Sequence, residues 1–239
     1  MKYLYGPVAS RRLGFSLGVS LTPYKTCDFD CLYCQLGQTT NKTKERLAYV
    51  SIDDIFDELK TWFQNNTDQA KQLNFITLSG CGEPTLHTEL GTLILRIKEH
   101  FSVKVALITN SSYLNHPSVR NAIISADLIV PSLDAATQEI FEKVDRPVPG
   151  IRIEEVIDGL ISLRKEFKGK LWLEVMLVKG INGDIGHVRR LQKVIEKINP
   201  DKIQLNSPVR STAEPNILPV GKNKLVKIKE ILGEKCEVL

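Results

Sequence analysis

Short runs of apolar residues alternate along the chain with longer segments in which apolar residues recur every three or four positions. The short runs are typical of strands covered on both faces, and the longer segments are typical of amphipathic helices. The runs predict six strands, at residues 16–21, 74–79, 103–109, 127–133, 171–178 and 202–206. Four segments with one apolar stripe each predict helices that begin near Ile52, Leu90, Ile153 and Val188.

Six strand-then-helix units fit between residues 16 and 232, which predicts an α/β fold with a parallel sheet and right-handed crossovers. Six units are too few for a closed eight-stranded barrel. We therefore expect a partial (β/α)6 barrel or, alternatively, a doubly wound parallel sheet. The two folds differ in strand order, which periodicity does not reveal.

Polar residues follow directly after the predicted strands. They include Cys27, the segment 80–84, Asn110, Ser132 with Asp134, Asn182, and Asn206 with Arg210. Because the carboxyl ends of parallel strands meet at one edge of a sheet, we expect these residues to share one site.

Composition narrows the class of protein. The chain has 239 residues, of which 42% are hydrophobic and 25% are charged, and it contains five cysteines. No segment approaches the roughly 20 apolar residues that span a bilayer, so we expect a cytoplasmic protein without membrane contact. In that compartment, cysteines favour metal binding or redox chemistry over a disulfide framework. The formal net charge of +4 does not single out a partner.

Three of the cysteines lie within eight residues, in the spacing C-x3-C-x2-C at Cys27, Cys31 and Cys34. A structural zinc site needs four ligands, and no fourth Cys or His lies nearby, the next candidates being Cys81 and His87. A 4Fe–4S cluster held by three thiolates keeps one iron open to a ligand that is not part of the protein. The spacing therefore favours a cluster that binds a substrate or cofactor.

This spacing, with Tyr33 just before the last cysteine, resembles the signature of the radical S-adenosylmethionine (SAM) superfamily. The segment Ser-Gly-Cys-Gly-Glu-Pro at 79–84 resembles the GGEP motif of that superfamily. Segments 6–19 and 204–210 are similar to those of small single-cluster members classed near the wyosine-base synthases. The resemblance covers about residues 8–210 of a single domain, 1–239, and leaves a helical extension at about 211–239.

The resemblance implies a set of site residues. Cys27, Cys31 and Cys34 would ligate a 4Fe–4S cluster that cleaves SAM, and Gly82 and Glu83 would bind its methionine ammonium group. Further cofactor contacts would come from Tyr33, Asn110, Ser132 and Asp134.

Simpler interpretations exist for several of these residues. Glu83 would also serve as an ordinary acid at a helix N-terminus, and Ser132 and Asp134 would also serve as caps of a helix that starts near Ala135. Cys81 would be either a small buried residue or a thiol at the site.

The implied reaction is reductive cleavage of SAM to methionine and a 5′-deoxyadenosyl radical, which abstracts hydrogen from a macromolecular substrate, RNA or a protein or peptide. A ferredoxin or flavodoxin would supply the electron. Within this class, the alternatives are an activating enzyme of the glycyl-radical type and a tRNA wyosine-like base synthase. Outside it, the alternatives are a non-catalytic iron–sulfur or zinc-binding protein and a metal-free binding module.

Overall fold

The computed structural model describes residues 1–239 and alternates strands with helices along the chain. The strands are β1 (Leu4–Ser10), β2 (Gly14–Val19), β3 (Thr26–Cys27), β4 (Asn41–Lys42), β5 (Phe75–Leu78), β6 (Lys104–Thr109), β7 (Leu128–Pro131), β8 (Lys170–Met176), β9 (Lys202–Asn206) and β10 (Cys236–Val238). The helices are α1 (Ile52–Asn65), α2 (Thr67–Ala70), α3 (Leu90–His100), α4 (Pro117–Ile123), α5 (Gln138–Val144), α6 (Ile153–Glu166), α7 (Ile185–Ile198) and α8 (Lys222–Leu232), with a short 3-10 helix at Pro84–Leu86.

Eight strands form one sheet in the order β1-β2-β5-β6-β7-β8-β9-β10. The β1–β2 pair is antiparallel, and every other neighbouring pair in this sheet is parallel. From β2 to β10 each crossover adds the next strand on the same side, whereas a doubly wound sheet reverses its strand order at a switch point. The partial barrel is therefore confirmed, and the doubly wound alternative is wrong.

All six predicted strands and all four predicted helices are present. The sequence pattern missed β1 and β10 at the two edges of the sheet. Strand β1 contains Gly6-Pro7 and a register shift between Tyr5 and Val8, so it lacks a regular period of two. Strand β10 has three residues, too few to show any period. Segment 211–239 therefore contains a strand as well as the expected helix.

The main core lies between the sheet and its helices and extends from Leu4 to Cys236. Helix α1 illustrates how the sequence builds it. The Ser51 side chain caps the first turn by accepting the N–H of Asp54, and the helix then buries Ile55 and Leu59 completely. Each fully buried side chain of this size contributes roughly 2 kcal/mol to folding.

A second, smaller apolar cluster occupies the inside of the barrel. Side chains alternate between the two faces of each strand, and Ala106, Leu128 and Val130 belong to the inner face. Leu13, from the turn between β1 and β2, packs against them and is only 5% exposed. The turn of the β1–β2 hairpin thus fills the barrel interior.

None of the helices is long and apolar enough to cross a bilayer.

Candidate active site

The cysteine loop, residues 27–34, begins at the end of β3 and is held by backbone hydrogen bonds to the end of α5. Leu32 donates to the carbonyl of Val144 at 3.0 Å, and Asp30 donates to that of Asp145 at 3.1 Å. Phe29 packs edge-on against Phe141, with ring centroids 5.3 Å apart. The loop therefore has a fixed position even though it contains no regular secondary structure.

The three predicted cysteine ligands are free thiols on this loop, and each is half-buried. No three His, Cys, Asp or Glu side chains converge closely enough to hold a single metal ion.

Burial raises the pKa of all three thiols, and for Cys27 and Cys31 the pKa lies well above its ordinary value. The carboxylate of Asp28 adds to the effect at Cys27, and that of Asp145 adds to it at Cys31. Metal binding at these thiols must therefore displace protons, as it does wherever thiolates are ligands.

Gly82 joins the GGEP-like segment to the cysteine loop. Its backbone lies against Thr26, and a Cβ atom at position 82 would overlap the carbonyl oxygen of Thr26. The next residue, Glu83, donates its backbone N–H to that same oxygen at 3.2 Å. Only glycine permits this close approach, which places the segment directly beside Cys27.

The Glu83 carboxylate is buried and points into the fold. One oxygen accepts the N–H and the hydroxyl of Thr85 and the hydroxyl of Thr109, at 3.0, 2.6 and 2.6 Å, and the other accepts the N–H of Asn110 at 2.7 Å. Burial, followed by the charge of Asp28, raises the pKa of Glu83 to about 7. The structure shows that Glu83 caps the 3-10 helix and ties it to the end of β6. Its contact with a cofactor stays a prediction, as does that of Gly82.

Asn110, after β6, reaches back to the cysteine loop. Its amide nitrogen donates to Asp28 Oδ1 at 2.6 Å and lies 3.7 Å from the sulfur of Cys27. Asp28 is fully buried, and burial raises its pKa, while side-chain hydrogen bonds from Ser112 and Asn110 oppose that rise.

Tyr33 and Asp134 form the other side of the site. The Tyr33 hydroxyl donates to Asp134 Oδ2 and lies 3.4 Å from Asp145 Oδ1, while Asp134 Oδ1 accepts the N–H of Met176 at 2.7 Å. Burial raises the pKa of Asp134 to about 7 and also raises the pKa of Asp145, which faces it. The helix cap expected at this strand end does not form, since α5 begins at Gln138 and Thr137 is its N-cap residue. The interpretation of Ser132 and Asp134 as caps is wrong.

Four of the predicted cofactor residues line one cleft beside the cysteine loop. The cleft encloses about 260 Å³, including its open mouth, and its lining contains Tyr33, Asn110, Ser132 and Asp134. Apolar walls come from Phe29, Leu133, Phe141, Ile153 and Val156. Sequence reasoning missed Asp145, which also lines the cleft, and Asp28. The position of Asp28 between two cysteines was a signal for it, whereas nothing local marked Asp145.

The remaining candidate residues lie elsewhere. Cys81 is half-buried and donates its backbone N–H to Ser20 Oγ, and Cys236 is buried in the core. His87 is fixed by Val50 and by the N–H of Glu89, and His187 is fully buried in α7. No histidine lines the cleft.

Comparison with known proteins places this geometry in a family. The sequence profile of the Radical SAM superfamily matches residues 21–191. A UPF0026 protein of Synechocystis is 34% identical over 99% of this chain and 90% of its own length. A protein of Brachyspira hyodysenteriae named GTPase Obg is 40% identical over 99% of this chain, but the chain spans only 34% of that protein.

Solved structures share the fold at low sequence identity. A radical SAM methyltransferase from Sphaerobacter thermophilus superposes with a TM-score of 0.73 and 16% identity, covering 94% of this chain and 65% of that protein. TYW1 with a bound lysine-pyruvate adduct gives a TM-score of 0.63 and 16% identity, covering 91% and 72%. These likenesses support the partial barrel.

Proposed function

The chain belongs to the radical SAM superfamily, and we propose that it binds a 4Fe–4S cluster through Cys27, Cys31 and Cys34 and cleaves SAM reductively. The observation that carries the proposal is the position of three free thiols on a fixed loop beside the cleft that contains Tyr33, Asn110, Ser132 and Asp134.

The residues present fit such a cluster. The three thiols come from one loop, none is in a disulfide, and the thiols lie near enough to influence one another's pKa. Because the thiols are half-buried, water has limited access to them. Limited access of water stabilises iron–sulfur centres and affects their reduction potential. When bound, the cluster supplies the electron that cleaves SAM to methionine and a 5′-deoxyadenosyl radical.

The protein's own part is to hold the cofactor and exclude water. The apolar walls at Phe29, Phe141 and Val156 suit a flat base, and the carboxyl groups of Asp134 and Asp145 suit hydroxyl and amine donors. Gly82 and Glu83 contact the backbone of Thr26 and so hold the segment after β5 against the start of the cysteine loop. We place the whole chain, residues 1–239, in one such domain with its core at about 8–210.

We further propose the partners. An oxidoreductase of this kind needs a one-electron donor such as a ferredoxin or flavodoxin. We propose RNA or a protein or peptide as its substrate.

Anaerobic reconstitution with iron and sulfide tests the proposal. The wild type should bind about four irons per chain and form 5′-deoxyadenosine when dithionite and SAM are added. Cys31→Ala should lose both properties. Cys236→Ala removes a buried cysteine of β10, at the edge of the sheet and outside the cysteine loop, and should keep both.

Two results would contradict the proposal. Zinc binding in place of iron would identify a metal-binding protein of another class. A complete cluster without any 5′-deoxyadenosine would favour an iron–sulfur protein that does not cleave SAM.

A further inference from the structure

Two segments singled out in the sequence, 6–19 and 204–210, are far apart in the chain and meet at the mouth of the barrel. Arg12, in the turn between β1 and β2, forms an ion pair with Glu174 of β8. Glu174 in turn accepts the side-chain amide of Asn206, at the end of β9, at 3.3 Å. One chain of polar contacts therefore joins the hairpin turn to the loop that follows β9.

This chain of contacts fixes the loop after β9. The amide oxygen of Asn206 accepts the N–H of Ser207 at 2.9 Å, and the Ser207 hydroxyl donates to the carbonyl of Leu177 at 2.7 Å. The same hydroxyl accepts the N–H of Val220 at 2.9 Å. The loop therefore leaves β9 in a set direction and carries Arg210 to the rim.

The hairpin and the loop together form a second cleft, which encloses about 250 Å³ including its open mouth. Arg11 contributes from the hairpin and Arg210 from the loop, and Met176 and Asn206 also line it. Tyr33 lines both this cleft and the cleft beside the cysteine loop. The two clefts therefore share Tyr33 as a common lining residue.

The two arginines at this cleft are not neutralised. Both are exposed, and neither takes part in a salt bridge. The contact of Arg210 is with the neutral amide oxygen of Gln35, at 3.2 Å. No Asp or Glu lines the cleft, and the nearby Glu174 is already held by Arg12 and Asn206.

We propose that this second cleft is the substrate site and that Arg11 and Arg210 bind a phosphate group of the substrate. Guanidinium groups bind phosphate with two parallel hydrogen bonds, and two of them balance the charge of a phosphate better than that of a single carboxylate. The assignment of the second cleft as the substrate site rests on the proposed function of the neighbouring cleft. Phosphate binding by the two arginines does not rest on it.

Charge elsewhere in the chain agrees with a phosphate ligand. Residues 179–239, which supply Arg210, contain 12 Lys or Arg against 7 Asp or Glu. A net positive charge raises the local concentration of an anionic ligand in general and speeds its association, whereas binding in the cleft itself depends on Arg11 and Arg210.

The test measures binding by the full chain, as isolated and after anaerobic reconstitution, without a reductant. The probes are inorganic phosphate, uridine, uridine monophosphate, a single-stranded oligouridine RNA and a peptide rich in glutamate, all at one salt concentration. The variants are Arg11→Gln, Arg210→Gln and the double variant. Arg189→Gln, which removes an exposed and unpaired arginine of α7, is the matched control.

Each arginine variant should weaken binding of the phosphate ligands roughly tenfold, since one hydrogen-bonded charge pair accounts for about one power of ten in affinity. Uridine should bind no better than background, and Arg189→Gln should bind like the wild type. If the arginine variants weaken binding of the RNA alone, the source of the phosphate is a nucleic-acid strand. If they weaken binding of uridine monophosphate as much as binding of the RNA, the source is a free nucleotide.

Two outcomes would overturn the proposal. One is that the double variant, with an unchanged melting temperature, binds every phosphate ligand as the wild type does. The other is that only the acidic peptide depends on the two arginines, which would assign the cleft to a carboxylate of a protein. Because no SAM cleavage is measured, failure to form 5′-deoxyadenosine leaves these results standing and bears only on the proposed function.

Discussion

The carboxylate of Glu83 accepts the backbone N–H of Asn110 at 2.7 Å, across 27 residues of sequence. This bond joins the segment after β5 to the segment after β6 at the edge of the sheet where the cysteine loop lies. It makes Glu83 a structural link between these two segments.

Glu83 should make the stability of the metal-free chain depend on pH. Its pKa is raised by burial to about 7, so between about pH 4.5 and 7 the folded chain holds a proton that the unfolded chain has lost. The free energy of unfolding should therefore fall as pH rises through this range, by up to roughly 3 kcal/mol.

Urea unfolding of the wild type and of Glu83→Gln at pH 5 and pH 8 measures this contribution. Glutamine does not ionise, so the difference between the two pH values should be smaller in the variant. An equal difference in both proteins would mean that Glu83 does not carry the pH dependence.

Gly82→Ala should displace the start of the cysteine loop, because the added methyl group overlaps the carbonyl oxygen of Thr26. We expect a loss of stability of about 3 kcal/mol or more and reduced iron incorporation. Gly221→Ala is the control, since a Cβ at Gly221 meets nothing within 4 Å, and it should cost less than about 1 kcal/mol. Equal melting temperatures for Gly82→Ala and the wild type would contradict the packing described for Gly82.

Tyr33→Phe should destabilise the chain by about 1–3 kcal/mol, because it removes the hydroxyl that donates to the buried carboxylate of Asp134. Tyr49→Phe removes a hydroxyl that donates to the carbonyl of Glu45 near the surface and should have a smaller effect. Chemical denaturation of both variants makes the comparison. A larger loss for Tyr49→Phe would show that the Tyr33 hydroxyl contributes little.

Leu13→Ala should cost about 2–4 kcal/mol, since Leu13 fills the inside of the barrel against Ala106, Leu128 and Val130. Leu95→Ala, at a position on α3 that is 49% exposed, should change stability by less than about 1 kcal/mol. If the two variants unfold at the same denaturant concentration, the hairpin turn does not plug the barrel.

The sequence by itself determined the six central strands of the sheet and four of the helices, because continuous apolar runs and helical stripes report burial that is repeated along each element. It also located the cysteine loop, since ligand spacing is a local property of the chain. The polar residues after β6 and β7 were placed at one site by the same logic, as the carboxyl ends of parallel strands share an edge.

Only the tertiary structure decided which polar residues face one another. Three such contacts join positions 26 to 162 residues apart. They are those of Tyr33 with Asp134, of Glu83 with Thr109, and of Arg12 with Glu174. Spacing along the chain carries no information about such contacts, because they depend on how the strands curl into a barrel and where the hairpin turn packs. The same curvature brings Arg11 and Arg210 to one cleft.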